Sequence, residues 1–140
     1  MRGAAYLIVL ALATPLPAQP VPQPPLPTFR QSHGLSLPAW SSELADSALR
    51  RAQTLAETGV LSHEDPLGRG PGLQALAEGL PPGEYGEVLG AGRDFDAVWA
   101  GWLGSPPHRD VLSSPGWTRW GLGSAPLGAT RVWVLRFWKP

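Results

Sequence analysis

Apolar residues recur at three- and four-residue steps over three stretches of the chain. Between Trp40 and Gly59, Leu44, Ala48, Ala52 and Leu55 share one face while Arg50, Arg51 and Glu57 fall elsewhere. That pattern predicts an amphipathic helix opened by Trp40 and ended by Gly59. Leu73, Leu76, Ala77 and Leu80 repeat it more briefly, and Pro81-Pro82 stop it. Phe95, Val98, Trp99, Trp102 and Leu103 keep the helical period without a mismatch up to Gly104, so both Trp are placed in the core. Ser105-Pro106 reads as an N-cap with proline at the first helical position, opening a short helix that carries His108, Val111 and Leu112.

Beyond Pro115-Gly116 the pattern changes. Trp117 to Gly123 and Arg131 to Trp138 are rich in β-branched and aromatic residues, and the stretch Ser124 to Thr130 between them suits the loop of an antiparallel pair. Trp133, Leu135 and Phe137 alternate with Val132, Val134 and Arg136. Both faces of that strand are mostly apolar, so helices are expected on each. The expected fold class is α+β, a three-layer α-β-α sandwich with a small antiparallel sheet covered by helices. No repeat of fixed period interrupts it.

The N-terminal region reads differently. Met1-Arg2 followed by the apolar run Ala4 to Ala13 is shorter than the roughly 20 residues of a membrane-spanning helix and has the form of a secretory signal. Cleavage after Ala18 assigns residues 1–18 to that signal peptide. Residues 19–27 are rich in proline, which lacks an amide donor and fixes φ, so they are expected to form an extended spacer, leaving 28–140 as one domain. Lys and Arg number 11 against 11 Asp and Glu, so the chain lacks the net field by which nucleic-acid binders act. There is no cysteine, which excludes disulfides, thiolate metal sites, thiol nucleophiles and a lipoprotein anchor. Seven Trp in so short a chain supply large apolar area for packing between layers.

Candidate chemistry lies where His or Glu sits among turn-forming residues: Ser62-His63-Glu64-Asp65-Pro66, Gly83 to Gly90 around Glu87, and Ser105-Pro106-Pro107-His108-Arg109. No close-spaced metal motif joins them. Each has an ordinary structural role open to it: His63 bonded to backbone after a helix, His108 satisfying a neighbour at a helix start, and Glu87 a polar buttress inside the sheet. Glu64 and Asp65 adjoin His63, with turn formation before Pro66 as their local role. Neither Ser62 nor Ser105 stands in a nucleophile elbow, which speaks against a Ser-His-Asp triad. His33 lies in the loop before the first predicted helix, apart from these three places.

Taken in order, Ser62 to Pro66 with Gly68-Arg69, then Gly86-Glu87, then Trp102 to Leu112, then Gly121-Leu122-Gly123 resemble the bacterial branch of the CAP superfamily, also called the SCP domain. That superfamily groups cysteine-rich secretory proteins, antigen 5 and plant pathogenesis-related 1 proteins. The resemblance implies a secreted or envelope-located α-β-α sandwich with a cleft formed by His63, Glu87 and His108, flanked by Glu64, Asp65 and Ser105. Val88 stands where the family usually has Asn, and Ser105 lies near where eukaryotic members place a second glutamate. No cofactor is required by this reading. A divalent metal such as zinc, held by His63 and His108 with Glu87, is the group such a trio is suited to. The same three residues are the catalytic candidates if the cleft transfers protons. Three functions stay open: a monomeric binding module for an extracellular lipid, glycan or peptide, without nucleic acid or a transmembrane span in the mature chain; a hydrolase using the same cleft; or a structural envelope protein.

Overall fold

In a computed structural model, residues 25–140 are described; the signal segment and most of the proline-rich spacer lie outside them. The elements in chain order are α1 (Leu26–Ser32), β1 (Ala39–Trp40), α2 (Ser42–Thr58), α3 (Pro71–Ala77), β2 (Glu84–Gly92), α4 (Phe95–Leu103), α5 (Pro106–Leu112), β3 (Arg119–Leu127) and β4 (Thr130–Lys139). The strands form one sheet in the order β1-β3-β4-β2. β4 pairs antiparallel with both β2 and β3, whereas the two residues of β1 run parallel to β3. The sheet is therefore mixed rather than purely antiparallel.

Alternation along β4 builds two cores. Val132 and Val134 join Leu89, Ala125 and the α2 residues Ala48, Ala52 and Leu55 on one face. Leu135 and Phe137 join Val88 and the aromatic residues of α4, together with Leu26, Leu112, Trp117 and Trp120, on the other. The sandwich expected from the pattern is present, with α2 covering one face and α3 joining it there through Gln74. α2 lies close because β3 carries Gly121 and Gly123 beneath it: a Cβ at either position would run into the α2 backbone at Leu44-Ala45 or Ala48-Leu49. On the opposite face Gly86 leaves room for the Trp117 ring, which a Cβ would approach to 2.6 Å.

The local endings follow the sequence. Ser41 caps α2, accepting from the Leu44 amide at 3.2 Å, and Gly59 ends it in the left-handed conformation. Asp94 caps α4 by accepting from Ala97. Ser105 is the N-cap residue of α5 with Pro106 after it, as expected, although its hydroxyl is engaged by His108 instead of a helix amide.

Four differences have clear physical causes. α1 starts at Leu26, inside the proline-rich stretch, because proline is tolerated in the first turn of a helix. Leu26 is fully buried, and Arg30 donates to the carbonyls of Leu112 and Ser114, satisfying the C-terminal end of α5. Trp40 does not open α2; it lies in β1, half exposed, with its ring edge-on to Trp120. Ser124 to Leu127 extend β3 and not the loop, leaving a turn at Gly128-Ala129. Finally, α3 exposes Leu73 and Leu76 and buries Gln74 and Ala75, the reverse of its apolar stripe, because the Gln74 amide has three polar partners inside.

Replacing Gly121 or Gly123 by Ala is expected to destabilise the fold by about 1–3 kcal/mol or more, since the obstructing atoms are backbone. Gly101→Ala, on the open side of α4 with nothing within 4 Å of a new Cβ, is expected to stabilise it by up to about 1 kcal/mol. Urea unfolding of the three variants checks the contrast.

Candidate functional site

Glu87 sits on β2 directly across from Arg136 on β4, on the sheet face that α2 covers. Both side chains are out of solvent, at 0% and 1% exposure. The Arg136 Nε donates to Glu87 Oε2 at 2.8 Å, Nη1 to the Ser47 hydroxyl at 2.7 Å, and Nη2 to the Gln74 carbonyl oxygen. A buried guanidinium is thereby compensated by one carboxylate and two neutral acceptors, from α2, α3 and β2. Glu78 adds a more distant carboxylate at 3.9 Å.

The other oxygen of Glu87 faces His63. Nδ1 of the ring is 3.0 Å from Oε1, and because a carboxylate only accepts, that nitrogen carries the proton. In the neutral ring this leaves the lone pair on Nε2. The imidazole is about half exposed, at 55%, while its carboxylate partner is fully covered. His63 is thus a surface group whose tautomer and orientation are set by a buried ion pair.

The loop that presents His63 is held from three directions. Gln74 Nε2 donates to the carbonyls of His63 and Arg69 at 2.8 and 2.7 Å. Arg51 donates to the carbonyls of Ser62 and Glu64. Asp65 turns inward, its Oδ1 accepting from the amides of Leu67 and Arg69, each at 2.9 Å, and its Oδ2 from Arg69 Nε at 2.7 Å. These bonds, led by the Arg69 amide, hold the Asp65 carboxyl below its ordinary range. Asp65 therefore folds the turn rather than extending the cleft, and Glu64 lies exposed with its backbone engaged at both ends, the amide donating to the Ser62 hydroxyl and the carbonyl accepting from Arg51.

The expected site residues are only partly brought together. His63 and Glu87 touch. His108, on the first turn of α5, has Nδ1 2.8 Å from the Ser105 hydroxyl and no hydrogen bond to either. His33 closes α1 against the Phe29 carbonyl. Among the described residues no three His, Cys, Asp or Glu side chains gather as a metal-holding group. With both Glu87 oxygens engaged, the trio as placed does not offer the three-donor shell of an open zinc site.

Sequence reasoning missed Arg136, Gln74, Ser47 and Arg51. Arg136 had a signal: it is a charge on the same face as Val132 and Val134 in an otherwise apolar strand. Ser47 and Arg51 continue the Leu44, Ala48, Ala52 stripe of α2, so the helix buries Arg51 at 6% exposure instead of turning it outward.

The family model described as CAP, the cysteine-rich secretory protein family, matches residues 27–137. A comparison with curated protein sequences finds no match. Among solved structures, an outer surface protein from Borrelia burgdorferi superposes with TM-score 0.75 at 21% identity, over 81% of this chain and 86% of that one. An extracellular protein containing an SCP domain from Bacillus anthracis gives 0.71 at 26% identity, over 82% and 38%. A cysteine-rich secretory protein from Staphylococcus aureus gives 0.63 at 21%, over 86% and 41%. The chain thus spans well under half the length of the last two. Among the described residues no helix is long and apolar enough to cross a membrane.

Arg136→Met leaves Glu87 buried without its cation and is expected to cost about 3–5 kcal/mol in denaturant unfolding, while Ser47→Ala costs about 1–3. The bond to Glu87, ahead of the opposing effect of burial, raises the His63 pKa above its usual 6.5. The stability this contributes is complete below the unfolded-state value and is lost as pH rises through the raised folded value. NMR titration is expected to place His63 above 6.5, and the thermal advantage of wild type over His63→Gln is expected to shrink as pH rises past that midpoint.

Proposed function

The chain belongs to the CAP family of cysteine-rich secretory proteins, and from that premise we propose that it is a secreted bacterial ligand-binding module whose recognition surface is centred on His63. The observation that carries this reading is the relay from Arg136 through Glu87 to an exposed imidazole. Above its raised pKa the ring, held in one tautomer, presents a directed acceptor at Nε2, and prior ordering lowers the entropic cost of engaging a ligand donor. Export is supported by the signal-like residues 1–18 and by solved neighbours described as outer surface or extracellular proteins. Two imidazoles without a free carboxylate oxygen fall one donor short of an open zinc shell, so the binding proposed here uses protein groups alone.

The same ordered ring supports a second reading, a hydrolase in which Nε2 removes a proton from water. The Ser105-His108 contact does not add a nucleophile to it, because among the described residues no third group hydrogen-bonds His108 to orient it.

Arrays of glycans, lipids and extended peptides probed with the full chain are expected to give binding in one class, weakened on the order of tenfold by His63→Ala. Retention of the same affinity in that variant overturns the reading. Turnover of a peptide and ester panel that disappears in both His63→Ala and Glu87→Gln replaces it with the hydrolase.

A further inference from the structure

Behind the His63 loop, α2, α3 and the Asp65-Arg69 turn enclose an open cleft of about 340 Å³, within the range of roughly 300–1,000 Å³ that small-molecule sites occupy. Arg50, Arg51 and Arg69 line it, together with Asp65 and Glu78. Two of the arginines are neutralised within the lining. Arg50 Nη2 lies 2.8 Å from Glu78 Oε2, and Arg69 Nε lies 2.7 Å from Asp65 Oδ2.

Arg51 is not. Among the described residues no carboxylate lies within ion-pair distance of it, and its hydrogen bonds run to two neutral carbonyls, those of Ser62 and Glu64. It is 6% exposed, and its Nε is buried without an acceptor. A full charge held this way is costly unless an anion completes it, and loop closure alone asks for a neutral donor, not a guanidinium. The lining as a whole carries three positive groups and two negative ones. One negative charge on a ligand balances it; a multiply charged anion meets Asp65 and Glu78.

We propose that this cleft is a second site, distinct from the His63 surface, that takes a monoanionic, hydroxyl-bearing organic acid of the sugar-acid class. Its carboxylate pairs with Arg51 through Nη1, the guanidinium nitrogen that neither holds a loop carbonyl nor is buried without a partner, assisted by Arg50. Its hydroxyls donate to the Glu78 carboxylate, whose Oε1 carries no hydrogen bond among the described residues; this acceptor, with the Asp65 charge behind it, discriminates for donors and against further negative charge.

The test uses the full chain with D-galacturonate as probe and D-galactose, acetate and inorganic phosphate as comparisons, read by amide chemical shifts and by the rise in thermal midpoint on ligand addition. Galacturonate is expected to bind at millimolar concentration and to shift residues of α2 and the Asp65-Arg69 turn, ahead of all three comparisons. Arg51→Lys, which keeps the charge but cannot hold the loop carbonyls and reach the ligand at once, is expected to weaken binding on the order of tenfold. Arg50→Gln, whose side chain is half exposed and so carries little of the fold's stability, is expected to weaken it several-fold and keeps the test informative should Arg51→Lys not fold. Arg131→Gln, a charge removed elsewhere on the surface, is expected to leave binding unchanged. No binding of galacturonate overturns the site, as does affinity unaltered in the Arg50 and Arg51 variants. Equal or tighter binding of phosphate, acetate or galactose overturns the ligand class.

Discussion

Everything distinctive about this structure depends on one charge placed where a charge is expensive. Apart from its partner Glu87, Arg136 shares its sheet face with the apolar Val132, Val134, Leu89 and Ala125. Compensating it takes a carboxylate from β2, a hydroxyl from α2 and an amide from α3. Those three elements are thereby drawn to one point, and His63 is ordered as the far side of that arrangement. Buried ion pairs contribute little net stability compared with apolar packing. What this one supplies is position: it fixes which elements meet, and it leaves one carboxylate oxygen for the surface.

The site is thus a chain of substitutions of water by protein. Gln74 is the joint of that chain, since its carbonyl oxygen faces Arg136 while its amide nitrogen holds the loop at His63 and Arg69. Because both ends of one amide are committed, the loop and the sheet interior are rigidly coupled, and α3 is turned so that this amide points inward. Two exposed leucines, Leu73 and Leu76, are the cost of that orientation.

How much of this was readable from the chain differs by layer. The helices α2 and α4, their caps and the two faces of β4 follow from periodicity, because apolar burial acts on many residues at once and leaves a repeating trace. His63 and Glu87 were found through motif order, and the structure joins them. β2 itself was hidden: Gly83, Gly86 and Gly90 read as turn residues, whereas Gly86 and Gly90 are there to admit the rings of Trp117 and Trp102. Arg136 and Gln74 each break a local pattern, but a single break does not say which distant residue answers it. Long-range pairing across 49 and 62 positions is information that a one-dimensional pattern does not contain.

β4 lies in the middle of the sheet, yet it follows every other described element in the chain. Neither β2 nor β3 has another long strand to pair with until it arrives. A chain emerging from its N-terminus therefore exposes Glu87, the α2 face and the His63 loop well before their common partner exists, and the closing step spans long sequence separations, the kind that folds slowly. The site is thus completed last: Glu87 gains its buried cation only when the sheet closes, so a partly emerged chain holds the His63 loop without the ion pair behind it.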